Sequence, residues 1–228
     1  MTLVSLLKQV GRVCTKFEAG GFRPTNELEE SWLGRVSHFL PEEDVPFDKH
    51  GRPMVPLGQF YLPALPHVPE QLAGVSLLTA FVSAELEGDS DLMEGCFEIR
   101  EYRESDELVR RDSEAEVLKP FPLRPELVEA DHPVWDGGGL TGEEEEAFLV
   151  LERSREISNY YDVTSHVYGH KFGGYPSFCQ SGVDLHPHEF VFQIVSDAKI
   201  QLNVIDGGSL TFWRHPELGT WKLYYDFY

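Results

Sequence analysis

Only three of the 228 residues are cysteine, Cys14, Cys96 and Cys179. An odd number, widely spaced and each among apolar or aromatic neighbours, excludes a disulfide framework and predicts buried free thiols in a reducing cytoplasm. Long hydrophobic runs are missing as well: no stretch approaches the roughly 18 apolar residues of a membrane span. The opening Met1-Thr-Leu-Val-Ser-Leu-Leu-Lys8 is followed by Arg12 and Lys16 without a small-residue cleavage site, so it reads as a helix rather than a signal peptide. Positive charge is scarce, with 19 Lys and Arg against 39 Asp and Glu and a net charge of −20. That balance excludes non-specific attraction to nucleic acid or anionic membrane and makes a basic protein the natural partner. No Gly-x-Ser-x-Gly elbow, phosphate-binding loop or His-Glu-x-x-His pattern occurs. The expectation is therefore a binding protein, not an enzyme, with no catalytic residue, metal or cofactor.

What the chain has instead is a concentrated acidic middle. From Glu85 to Glu156 there are 23 carboxylates against 8 basic residues, −15 of the total −20. The candidate partner-binding residues are Glu143, Glu144, Glu145, Glu146, Asp106, Glu107 and Asp112, which would steer a basic surface by long-range attraction. The competing account is a solvated face serving solubility alone.

Local patterns predict a β-rich α+β fold. Leu3, Leu6, Leu7, Val10, Val13, Cys14 and Phe17 share helical spacing, with Gly20-Gly21 closing the helix. A second short helix is expected from Thr25 or Asn26, paired with Glu29 at capping-box distance. Seven prolines between Trp32 and Pro69 exclude a long helix there. Strands are expected at Leu57 to Leu62, Val75 to Ala84 and Cys96 to Tyr102, paired in one sheet. A further helix is expected after Thr141, whose hydroxyl can cap it while Glu144 answers and the glutamates face the positive end of the helix dipole. The C-terminal strands, Glu189 to Ser196, Ile200 to Val204, Ser209 to Arg214 and Trp221 to Tyr228, read as an antiparallel meander with a tight turn at Asp206-Gly207-Gly208.

Order repeats along the chain. Leu33-Gly34, Leu57-Gly58-Gln59-Phe60, Leu77-Leu78-Thr79-Ala80-Phe81 and Phe97 to Tyr102 form one series. Phe172-Gly173-Gly174, Phe192-Gln193-Ile194, Leu210-Thr211-Phe212-Trp213 and Leu223 to Phe227 form another. The reading is one domain over 1–228, built from two related halves at about 32–102 and 166–228 and joined by an acidic segment, 103–165.

Other residues admit chemistry. His166, His170, His186 and His188, with Glu189, contain enough ligands for a metal site if they converge, which is the basis of an alternative reading as a metal-dependent or small-molecule enzyme. A structural or adaptor role is a third reading. Cys179 lies near His170 and His186, but its aromatic surroundings favour a core thiol. About half of Trp213, Trp221, Tyr224, Tyr225, Phe227 and Tyr228 should face outward from their strands.

The segments Lys171-Phe-Gly-Gly-Tyr-Pro-Ser-Phe-Cys-Gln180, Phe192-Gln193-Ile194, Asp206-Gly-Gly-Ser-Leu-Thr-Phe-Trp213 and Gly51-Arg-Pro-Met-Val-Pro-Leu-Gly-Gln59 resemble the YwqG-like family, bacterial proteins named for a domain of unknown function. The resemblance covers roughly Trp32 to Tyr102 and His166 to Tyr228. Leu33-Gly34-Arg35 stands where that family usually shows a second glycine. The resemblance implies a β-rich α+β fold without established catalytic residues. It also implies a cytoplasmic immunity protein of the toxin–antitoxin kind associated with type VI secretion. Such a protein would hold a cognate toxin, for instance a nuclease with a basic cleft, inactive.

Overall fold

The apolar spacing at the N-terminus forms a helix only as far as Gly11. The computed structural model describes residues 2–85, 93–114 and 118–227, and of Asp112 and Glu114 the backbone alone. Helix α1 spans Leu3–Val10, capped reciprocally by Thr2 and Ser5. From Arg12 the chain is strand β1 (Arg12–Ala19), which corrects the helix expected to run to Phe17. Val13 and Thr15 are β-branched and support a helix weakly. The segment instead gains pairing on both sides, from β8 (Phe121–Asp131) and β9 (Lys171–Gly173). The short helix expected at Thr25 is also absent. The Glu30 carboxylate, rather than Glu29, takes the N–H groups of Thr25 and Asn26, and Asn26 turns to a left-handed φ of 62°.

The other strands and α-helix are β2 (Trp32–Leu33), β3 (Arg35–Phe39), β4 (Val55–Tyr61), β5 (Leu77–Val82), β6 (Phe97–Tyr102), β7 (Val109–Glu114), α2 (Gly142–Ser154), β10 (Glu189–Val195), β11 (Ser209–Arg214) and β12 (Trp221–Asp226). Ten strands form one sheet in the order β12-β11-β10-β9-β1-β8-β2-β4-β5-β6, and β3 pairs with β7 separately. All these pairings are antiparallel. The expected sheet of β4, β5 and β6 and the meander of β10, β11 and β12 are both present. Ile200 to Val204 is not a strand: only Leu202 bridges, to Asp197. The acidic segment 103–165 does more than join two parts, because it supplies β8 at the centre of the sheet. Pro122 and Pro125 hid that strand. Each has a pairing partner, Trp32 and Phe17 respectively, although proline removes a ladder donor.

The sheet curls until its two edges meet. Glu101 on β6 accepts from Arg214 Nε at 2.8 Å, from Arg214 Nη2 at 3.0 Å and from Trp221 Nε1 at 2.7 Å, tying β6 to β11 and β12. Inside, Phe60, Phe172, Phe192 and Phe212 form a run of rings, with Phe172–Phe192 and Phe192–Phe212 stacked at 4.7 and 4.2 Å. All four are fully buried, each contributing about 1.5–3 kcal/mol by leaving water. The fold is thus α+β: a large, nearly closed antiparallel sheet with two α-helices among the described residues.

The bridge at Glu101 is partly shielded, so its charge matters. Glu101→Gln is expected to lower unfolding stability by about 1–3 kcal/mol, read by urea denaturation. An unchanged midpoint would show that the aromatic core alone holds the edges together.

Candidate functional site

Helix α2 begins as its sequence directs. Thr141 Oγ1 accepts from Glu144 N, and Glu144 answers by accepting from Thr141 N at 2.8 Å. Glu144 is further held by Gln9 Nε2 at 2.8 Å, and these donors, led by Thr141 N–H, hold its carboxyl below the usual range. Glu146 is taken by Arg153, with bonds of 2.9 and 3.3 Å. The side chains of Glu143 and Glu145 make no hydrogen bond or ion pair among the described residues. Their carboxylates nevertheless suit the helix N-terminus. Leu6 and Val10 of α1 pack on Phe148 and Leu151 of α2. Between the helices lies a hollow of about 290 Å³, lined by Leu6, Glu143, Glu146, Ala147, Val150 and Leu151. Val150 on its wall is 50 % exposed, and Val4 on α1 is 76 % exposed.

The other expected partner-binding residues lie elsewhere. Asp106 closes the turn after β6 by accepting from Arg103 N and lines a separate hollow with Leu28, His38 and Tyr61. Glu107 is exposed in the same turn. The side chain of Asp112 lies outside the described residues. No hydrogen bond or shared hollow joins this turn to α2 among the described residues. Several other carboxylates of the acidic middle are already neutralised within the chain: Glu98 by Arg100, Glu101 by Arg214, Glu126 by Arg124 and Asp131 by Lys171.

The last of these pairs is fully buried. Asp131 ends β8 and Lys171 begins β9, and both side chains have no exposed surface. Lys171 Nζ donates to Asp131 Oδ2 at 2.8 Å and to the Val167 carbonyl at 2.6 Å. Asp131 also accepts from Val167 N at 2.7 Å and Tyr175 N at 2.9 Å. Burial lowers the Lys171 pKa while Asp131 opposes that shift, and burial with the Asp131 charge pushes the Cys14 thiol up to about 12. His166 extends the network: Nδ1 donates to the His132 carbonyl at 2.6 Å and Nε2 faces Ser177 Oγ at 2.7 Å. Ser177 N in turn donates to Gln193 Oε1 at 2.8 Å. The same bond recurs where Ser37 N donates to Gln59 Oε1 at 3.0 Å. Gln59 pairs in register with Thr79, and Gln193 with Thr211. Neither Asp131 nor Lys171 lines any of the hollows described, so the pair positions backbone rather than meeting a ligand.

The four histidines do not converge. His166 lies in that network, and His170 faces Asp197 at 3.3 Å and accepts from Val195 N. His186 and His188 line a cavity beside the 133–139 loop. Among the described residues no group of three His, Cys, Asp or Glu is placed to hold a metal ion. Cys14 and Cys96 are buried free thiols, whereas Cys179 is half-buried, a correction to its expected core position. Trp213 is buried, and Trp221, Tyr224 and Tyr225 are half-buried.

That cavity, of about 690 Å³, opens between the 133–139 loop and the 175–190 segment. Val134, Phe190 and Trp213 belong to a small apolar cluster beneath it. Arg12 reaches it from β1, its guanidinium 4.2 Å above the Tyr175 ring. The helical spacing from Leu3 to Phe17, which spans Arg12, hid this placement. Asp131 was hidden among 23 carboxylates, but Lys171, set in an aromatic and glycine-rich run, carried a legible signal of burial.

A profile of the family described as a domain of unknown function (DUF1963) matches residues 31–218, and the chain belongs to that family. No curated protein matches it. No helix among the described residues is long and apolar enough to cross a membrane.

Burial, with repulsion from Lys171, pushes His166 down to about 4 from an ordinary 6.5. A depressed folded pKa contributes stability that is present above pH 6.5 and lost as pH falls towards 4. The loss amounts to at most about 1.4 kcal/mol per pH unit. Urea titrations between pH 7 and 4 should show this slope in the wild type and a shallower one in His166→Gln. Equal slopes would show that His166 is not held neutral by the fold.

Proposed function

We propose that this chain is a non-catalytic binding protein of the immunity type, which docks a basic partner through the first turn of α2 and the hollow beside it. The observation that carries this reading is that the Glu143 carboxylate, without a side-chain partner among the described residues, lines an apolar depression together with exposed Val150, with the Glu145 carboxylate, equally without one, in the same helix turn. Free carboxylates steer a cationic surface and accelerate encounter, while buried apolar contact holds what has arrived. A lysine or arginine suits both parts, laying its aliphatic stem over Val150 and Ala147 and its charge against Glu143. The candidates narrow accordingly: Glu144 and Glu146 are engaged within the chain, and Asp106 and Glu107 belong to a different face.

The resemblance to YwqG-like proteins supports a toxin as that partner, acting in the cytoplasm, with a nuclease cleft as the kind of basic surface that glutamates can occupy. The reading extends to the architecture. The matched Ser-Gln-Thr sets, Ser37-Gln59-Thr79 and Ser177-Gln193-Thr211, support two related halves. The strand order supports them too, reading β2-β4-β5-β6 outward on one side and β9-β10-β11-β12 on the other.

The test is co-expression with the product of a toxin-like reading frame beside this gene. Wild type should restore growth and bind the toxin in vitro. Glu143→Lys with Glu145→Lys should weaken binding at least about 10-fold at low salt and flatten its salt dependence. The change costs the helix only about 0.3–1 kcal/mol per residue, so the variant remains folded. Undiminished binding by the variant, or no adjacent toxin, contradicts the proposal.

A further inference from the structure

The cavity at Arg12 shares no lining residue with the hollow beside α2 and has its own chemistry. Its volume, about 690 Å³, falls within the range of small-molecule sites. Its wall is preformed. A Cβ on Gly139 would lie 2.5 Å from Pro133 Cβ and 2.8 Å from the Tyr175 ring, and one on Gly137 would lie 2.5 Å from Val134. These glycines are therefore packed against their neighbours, not slack. The floor is apolar and aromatic, with Phe190 and Trp213 edge to face at 5.7 Å.

The charges of the cavity are unequal in availability. Glu189 is hydrogen-bonded by Gln71, and Asp184 accepts from His186 N at 2.9 Å. Glu144 feels the charge of Arg12, but its oxygens are taken by Thr141 and Gln9. Arg12 itself forms no ion pair with any carboxylate among the described residues, in a chain where acids outnumber bases two to one. Its guanidinium lies over the Tyr175 ring and hydrogen-bonds the Tyr175 side chain, and its remaining parallel N–H groups match the two oxygens of a carboxylate. Asp184 and Glu189 penalise a second negative charge, which disfavours phosphates and dicarboxylates.

We propose that this cavity binds a monocarboxylate attached to an apolar, preferably aromatic, body, with Arg12 receiving the carboxylate and Phe190 and Trp213 the body. A free aromatic acid and the C-terminus of a peptide share this chemistry.

Calorimetric titration tests it with four probes: indole-3-acetate, indole-3-acetamide, and a tripeptide ending in phenylalanine as its free acid and as its amide. At least one acid should bind saturably at one site per chain and about 10-fold or more tighter than its amide. Whichever acid binds more tightly identifies the source. Arg12→Gln should remove the preference for the acid while leaving thermal unfolding unchanged, and Arg12→Lys, which keeps charge without the fork, should fall between. The proposal is overturned if neither acid binds saturably, if the amides bind equally well, or if Arg12→Gln binds the acid like wild type.

Discussion

The structure depends on one buried charge pair. Asp131 and Lys171 sit where β8, β9 and the 165–178 segment meet, neither side chain exposing any surface to solvent. Such a pair is costly to desolvate, and it is tolerable here because Asp131 receives the ammonium and two main-chain N–H groups while Lys171 also reaches a carbonyl. The consequence is positional. Val167 and Tyr175 are fixed by their amides, and Tyr175 in turn donates its hydroxyl to the Val10 carbonyl, which ties the end of α1 to the wall of the cavity that Arg12 reaches. The placement of Arg12 over Tyr175 follows from that anchor.

Around this point the sheet builds outward on both sides. β1 and β8 lie at its centre, although one comes from the N-terminus and the other from the acidic middle. Strands distant in sequence therefore close the core, and the run of phenylalanine rings fills it. The two helices stand outside that core with an apolar cluster of their own. Their packing leaves the α2 carboxylates at the surface, whereas sheet carboxylates such as Glu101 are consumed in closing the edges.

Local signals made much of this legible. Thr141 and Glu144 form the capping box that their spacing implies, because a helix N-terminus is decided by residues three apart. β4, β6, β10, β11 and β12 follow from strand-like runs and turn glycines, and β5 from a continuous apolar run, for the same reason. What failed was non-local. Residues 12–17 satisfy a helical period as well as a strand period, and only two partners far along the chain decide between them. β8 carries two prolines that argue against a strand until its neighbours are known. Charge counting located the acidic middle but could not separate Asp131, buried and paired, from Glu143, exposed and free, since pairing across the chain settles that difference. The histidines illustrate the converse: closeness in sequence placed four together, and the fold sends them to three different surroundings.

The proposed functions rest on two surfaces, an acidic helix turn and a cavity whose arginine meets no carboxylate among the described residues. The claim beneath both is that Asp131 and Lys171 act as a unit. The direct measurement is a double-mutant cycle on unfolding free energy with Lys171→Met, Asp131→Asn and the two combined. Each single change should cost about 3–5 kcal/mol, because it leaves a polar group buried without its partner, and the combination should cost clearly less than their sum. Additive losses would contradict the account and make the two residues independent parts of the core.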